Sequence, residues 1–180
     1  LRIPFKGELL LRGEALMRYS DFERINAELP ETEAKYKNPR NLCTGTVRQL
    51  DPAVTAARGV YFHAFSLVEA EGVDFNNSRA AQFAWLRDQG FEVVEYETVT
   101  AATLRDSVLR FESKIPKNDF PSDGLVLLLD DIAYGESLGR TAKFPRNAIA
   151  FKWQDEQAET VLREIEWSPS RTGLINPVAI

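Results

Sequence analysis

A chain of 180 residues, 44% hydrophobic and 27% charged, is long enough to bury a real core, and its net charge of −5 argues against a protein that coats nucleic acid by bulk electrostatics. A single cysteine, Cys43, excludes an internal disulfide, and a single histidine, His63, leaves too few soft ligands for a structural zinc, so any metal would be bound through oxygen. No apolar run approaches the roughly 18 residues of a membrane span and no charged-then-apolar leader opens the chain, so a cytoplasmic protein is expected.

In chain order, residues 8–17, "ELLLRGEALM", read as a strand. A short helix follows, with Asp21 as its N-cap and a stop at Pro30. In "NPRNLCTGTVRQL" Pro39 suits the first helical position and Asn38 the cap, while Thr44, Gly45 and Thr46 permit close backbone approach. "VYFHAFSLV" (60–68) has strand composition. A helix from Ser78 to Gln89 ends at Gly90 and leads to a strand "EVVEYETV". The next helix follows Thr100 and carries Leu104, Val108, Phe111 and Ile115 on one stripe. "PSDGLVLLLDD" reads as a turn and a buried strand, "AYGESLGRTAKFPRN" as irregular, and "AIAFKW" and "ETVLREIEW" as strands. Strands alternating irregularly with helices predict an α+β fold, with largely antiparallel sheets and flanking helices. The chain starts at Leu1 without an initiator methionine and stops inside the apolar "INPVAI", which reads as an unfinished strand, so a larger parent is expected.

Charge is unevenly placed. Residues 34–50 hold Lys35, Lys37, Arg40 and Arg48 with no acid, residues 137–154 hold Arg140, Lys143, Arg146 and Lys152, again with no acid, and the stretch 69–98 is acidic. Two basic islands in an acidic chain fit a local phosphate site, although solvated surface charge explains either one alone.

Several residues admit both a chemical and a bland reading. In "AIAFKW", the two-residue strand period puts Lys152 on the face of Ala148 and Ala150, where small side chains leave room. It is either a ligand for an anion or an edge lysine reaching water. Glu14, beside Gly13 in "LRGEA", could accept hydrogen bonds from a sugar hydroxyl or be an edge glutamate. Phe65 reads as one more core aromatic. His63 reads as a structural histidine, with no partner carboxylate evident in sequence. Asp123-Gly124 is a common turn pair.

Order and spacing add to these readings. "RGE", then "NPRN" with "VRQLDP" close behind, "YFHAF", "DGLV", "AIAFKW" and "SRTGLINPVA" together resemble the bacterial NAD-dependent DNA ligases along essentially the whole chain. The resemblance implies a nucleotidyltransferase, ATP-grasp-like ligase core. Residues 1–159 would form the C-terminal part of the adenylation domain, and residues 160–180 the beginning of an OB-fold. It also implies a three-step reaction in which a lysine takes AMP from NAD, AMP passes to the 5′-phosphate of nicked duplex DNA, and the 3′-hydroxyl displaces AMP, with Mg2+ assisting. Lys152 would then hold the AMP phosphate and Glu14 the ribose. Phe65 would stack on adenine, with Val126 against its other face. Arg40 and Arg48 would engage the nicked DNA or its phosphates through their bidentate forks.

Two departures from the family pattern stand out. No lysine here begins a K-x-D-G nucleophile motif; Lys117-Asn118-Asp119 comes nearest and breaks at Phe120, so the motif is expected upstream of Leu1. Five residues after Asp123, where the family usually carries a phosphate-binding lysine, stands Leu128. By strand parity Leu128 shares the face of Val126, and Lys143 is the nearest cation in sequence that could compensate. Two functions therefore remain: a working NAD-dependent DNA ligase, or a degenerate ligase-like protein that binds nucleic acid or a partner without catalysis. Retention of Glu14, Arg40, Arg48, Phe65 and Lys152 together favours the first, and Leu128 the second.

Overall fold

A computed structural model describes residues 3–153 and 159–180. The first sheet has the order β1-β2-β3, with β1 at Leu9–Met17, β2 at Val60–Ala70 and β3 at Glu92–Val93. β1 and β2 run antiparallel, whereas β3 pairs parallel to β2. Parallel neighbours need a crossover, here the helix α4 (Arg79–Asp88). This sheet is therefore mixed, while three of the four strand pairings among the described residues are antiparallel, in line with the expected largely antiparallel sheets. The expected strand "EVVEYETV" is also shorter than predicted. Only its first two residues pair, because Tyr96 leaves the sheet to pack on Phe83, 4.9 Å between ring centroids.

Two apolar clusters flank this sheet. In one, Ala64, Leu67 and Val93 of the sheet pack with Phe83 and Leu86 of α4. In the other, Met17 at the end of β1 packs with Ile25 of α1 (Tyr19–Glu28) and with Leu42 and Cys43 of α2 (Pro39–Thr46). Both α2 and α4 begin where local chemistry says they should. The Asn38 side chain accepts the Asn41 N–H ahead of Pro39, and the Ser78 side chain accepts the Ala81 N–H. Gly90, at φ 88°, follows the end of α4.

The start of α1 is different. Asp21 lies inside the first turn rather than at the cap, and Asp119 does the capping from 99 residues away, with Oδ1 2.9 Å from the Ser20 N and Oδ2 2.6 Å from the Ser20 hydroxyl. Those hydrogen bonds, with the nearby Arg18 charge, hold the Asp119 carboxyl below the usual range.

A second sheet pairs β4 (Gly124–Leu128) antiparallel with β5 (Ala148–Lys152), and a third pairs β6 (Ile165–Pro169) with β7 (Ile175–Ala179). Among the described residues β6 and β7 form a two-stranded ladder only, with no OB-fold barrel. The other α-helices among the described residues are α3 (Pro52–Arg58), capped by Asp51; α5 (Leu104–Lys114), whose predicted stripe is half-buried; and α6 (Ile132–Ser137), capped by Asp131. α6 occupies part of the stretch expected to be irregular.

The first and second sheets are stitched by reciprocal capping. Asp130, after β4, accepts from the Ser78 hydroxyl and from the Ala80 N–H at the start of α4. Asn77, before α4, accepts the Ala133 N–H of α6 at 2.7 Å and donates to Asp131 at 2.7 Å. Asn77 and its neighbour Asn76 adopt left-handed φ values of 59° and 49° to do so, a conformation asparagine tolerates better than most residues.

Candidate functional site

The β4–β5 register sets Gly124 opposite Lys152, Val126 opposite Ala150 and Leu128 opposite Ala148. Directly opposed residues share a face, so Val126 and Leu128 stand beside the two alanines on the face that carries Lys152. The face is open, with Val126 68% exposed. At its end Lys152 Nζ donates to Asp123 Oδ2 at 3.1 Å. A Cβ on Gly124 would meet the Phe151 carbonyl oxygen at 2.4 Å and Lys152 Cγ at 3.2 Å, so the glycine admits the close strand approach beside this lysine.

The Asp123–Lys152 pair is solvated, with side chains 79% and 66% exposed, and adds little to stability. Its electrostatic consequence is local. The Lys152 hydrogen bond and charge hold the Asp123 carboxyl below its usual range, and Arg40 acts in the same direction. Arg40, in the first turn of α2, lines a surface hollow together with Pro121, two residues before Asp123.

The same short helix approaches Glu14. Cys43, on the buried face of α2, donates its thiol to the Ala15 carbonyl at 3.4 Å. Burial raises the Cys43 pKa first, and the Glu14 charge raises it further. α2 thus reaches both regions, with Arg40 lining one hollow with Pro121 and Cys43 bonded to Ala15, the neighbour of Glu14.

Glu14 itself is exposed and pairs across β1–β2 with His63. His63 does have a carboxylate beside it, contrary to the expectation from sequence. Glu92 on β3 places Oε2 3.2 Å from His63 Nε2, at ion-pair distance without hydrogen-bond alignment. Phe120 covers the imidazole edge-on at 4.7 Å, and Arg18 lies over Tyr61 at 4.2 Å on the same patch. Gly13 is covered by Phe62, whose ring tip would lie 2.2 Å from an added Cβ.

Phe65 is not a core aromatic. The pairing passes from Gly13↔Ala64 to Arg12↔Ser66, which leaves Phe65 as the extra residue of a β-bulge, 44% exposed. A second shift, from Leu11↔Leu67 to Leu10↔Glu69, does the same to Val68. The bulge lets Ala64 and Leu67, three apart, share one buried cluster while Phe65 is turned outward. Strand pairing links Phe65 to the Glu14 region; it does not link it to Val126, which belongs to the other sheet.

Arg48 lies beyond the end of α2 and is exposed, and among the described residues neither it nor Arg40 forms an ion pair. Lys143 is exposed in a tight turn closed by Thr141 N–H to Phe144 O at 2.8 Å. Sequence reasoning missed Asp123 as the partner of Lys152, and only the register of two strands 29 residues apart could have supplied it.

Residues 2–156 match the family model for the NAD-dependent DNA ligase adenylation domain. The chain belongs to that family. Relatives of this adenylation-domain family include a DNA ligase of Lachnoclostridium phytofermentans, 62% identical over 180 residues, and one of Ruminiclostridium cellulolyticum, 61% identical over 178. A DNA ligase of Psychrobacter arcticus is 38% identical over 177 residues. These alignments cover 100%, 99% and 95% of this chain but 28%, 27% and 25% of the respective ligases, so the chain spans about a quarter of their length. Among the described residues no helix is long and apolar enough to cross a membrane, and no three His, Cys, Asp or Glu side chains gather as a metal cage.

Proposed function

We propose that the longer protein carrying this chain is an NAD-dependent DNA ligase that seals nicks in duplex DNA through enzyme-AMP and DNA-AMP intermediates, serving replication and repair in the cytoplasm. The observation that carries the reading is the uncovered ledge of Val126, Ala148 and Ala150 ending in the Lys152–Asp123 pair. A solvated ammonium held by one carboxylate exchanges readily onto a phosphate, and a flat apolar shelf beside it accepts a planar base. NAD fits this donor set as the adenylyl source. Lys152 holds the phosphate, Glu14 the ribose, and Phe65 and Val126 take opposite faces of adenine.

The attacking lysine comes, on this reading, from a part of the ligase outside this chain. Residues 1–159 then belong to the adenylation domain, and the β6–β7 ladder within 160–180 to the start of an OB-fold. Magnesium is commonly held by one or two carboxylates together with substrate phosphates. The described residues supply no cage of their own, and no step is drawn through the metal.

Charge moves between phosphate oxygens in all three transfers, so fixed cations matter most at the transition state. In the full-length protein, Lys152→Ala should slow adenylyl transfer from NAD about a hundredfold, within the range of losing one preorganised donor. Its melting temperature should change little, because the side chain is exposed. Arg40→Ala and Arg48→Ala should each weaken nicked-DNA binding and reduce the salt slope of log K by about one.

Leu128 gives the second reading its support: an apolar residue stands where the family usually places a lysine, as in a ligase-like protein that binds nucleic acid or a partner without catalysis. A full-length protein that fails to seal nicks with NAD and magnesium would establish that reading instead.

A further inference from the structure

The corner between α2 and α3 presents an apolar side chain for which the fold provides no neighbour. Leu50 is 102% exposed relative to a free residue, and Val47 is 47% exposed beside it. The backbone on either side is pinned. The Gln49 N–H donates to Thr46 O at 3.1 Å, and the Gln49 side chain donates to Gly45 O at 3.2 Å. On the other side Asp51 accepts the Ala53 N–H at 2.9 Å, so the acid next to Leu50 is turned into the helix it caps. Thr55 and Arg58 of α3 both bond to Thr46 of α2, the Arg58 guanidinium reaching its fully buried hydroxyl at 3.1 Å. A rigid corner therefore holds a leucine in water, where a polar residue would be the cheaper choice.

The surroundings define what would meet it. Arg48 lies two residues before Leu50, Arg40 lies at the far end of α2, and residues 34–50 contain no acid. Gly45 between them borders open space, since a Cβ there would meet no heavy atom within 4 Å. A polyanion fits such a surface electrostatically, and an apolar tip flanked by arginine matches the way leucines wedge between base steps. A nick lacks one backbone bond, so the step there opens at least cost.

We infer that Leu50 is a wedge that enters the base stack at the nick, so that the protein distinguishes a nicked duplex from an intact one by how easily the step opens. This rests on the DNA ligase reading and adds a recognition residue to it.

The test compares the full-length protein with Leu50→Ala, Leu50→Met and Arg48→Ala. Each is titrated with nicked and intact duplexes of one sequence carrying 2-aminopurine beside the nick. The parent should prefer the nicked duplex and raise the probe's fluorescence. Leu50→Ala should lower that preference about tenfold, the size expected for one buried leucine side chain. It should also abolish the fluorescence rise with an unchanged salt slope and melting temperature, and Leu50→Met should retain both signals. Arg48→Ala should lower affinity with a smaller salt slope. An unchanged nick preference in Leu50→Ala, while the parent still seals nicks, would overturn the wedge and leave the ligase reading standing. A lowered melting temperature in that variant would equally overturn it, showing a structural or partner-facing role. A parent that neither binds nor seals nicks would remove the ligase reading and the wedge together.

Discussion

The β1–β2–β3 sheet and the β4–β5 ladder are held in place by different forces. The first carries both buried clusters, from Met17 through Val93, under α1, α2 and α4. The ladder contributes no residue to either cluster and leaves Val126, Leu127, Ile149 and Phe151 exposed. It is positioned instead by polar stitching, in which Asp130 caps α4 and Asn77 caps α6. The comparison teaches that a surface can be left uncovered without being left loose, when the end of a strand is tied through hydrogen bonds rather than through packing.

That contrast can be broken from either side. The largest effect is expected in the core: Leu86→Ala, at a fully buried position, should cost about 3 kcal/mol of unfolding free energy, whereas Val126→Ala should cost less than about 1 kcal/mol. Urea denaturation of the two variants measures the difference, and equal costs would contradict the account of the ladder.

The next effect concerns the ladder's chemistry. Lys143 lies in the turn that leads into β5, and Ala148 at the start of β5 pairs with Leu128. On the proposed ligase reading, with Lys143 in the role of the cation that Leu128 lacks, Lys143→Ala in the full-length protein should lower nick sealing about tenfold, and Leu128→Lys should partly restore it, a departure from additivity. Strictly additive rates would leave Leu128 without a compensating partner.

A smaller effect is expected at the stitch. Asp130→Ala removes the acceptor for the Ser78 hydroxyl and the Ala80 N–H, a loss of about 1 kcal/mol. Hydrogen exchange should speed up at the start of α4 and at the end of β4 together; acceleration at α4 alone would show that the cap does not tie the two sheets.

The smallest is the pH response of Asp123. Its carboxyl is held below the usual range by Lys152, so whatever stability the pair contributes is present above the unfolded-state pKa and lost as pH falls through the lower folded value. Solvent exposure keeps that contribution slight. Carboxyl NMR should show Asp123 titrating below ordinary aspartates, and Lys152→Ala should return it upward.

Local chemistry was legible in the sequence where it acts over a few residues. Asn38 with Pro39, and Ser78 with Gly90, mark the ends of α2 and α4 correctly because cap and helix are adjacent. The pair Asp51-Pro52 carries the same signal for α3 and could have been read the same way. Caps supplied from a distance were not legible: Asp119 for α1, and Asn77 as the acceptor that α6 has besides its local cap Asp131, take those roles only after the chain has folded. The candidate site divides similarly. The shared face of Val126, Leu128 and Lys152 follows from strand parity. The carboxylate beside His63 depends on a parallel pairing of two residues, and the exposure of Phe65 on a change of register, and neither leaves a mark in local sequence.

The change of register at Phe65 bears on how β2 tolerates gain or loss of length. Because Ala64 and Leu67 reach the same cluster only by having one surplus residue between them, deleting Phe65 would restore simple alternation rather than shift the strand. The core would keep its occupants and the outward aromatic would vanish, so a shortened homologue of this strand could fold normally while having lost its ring.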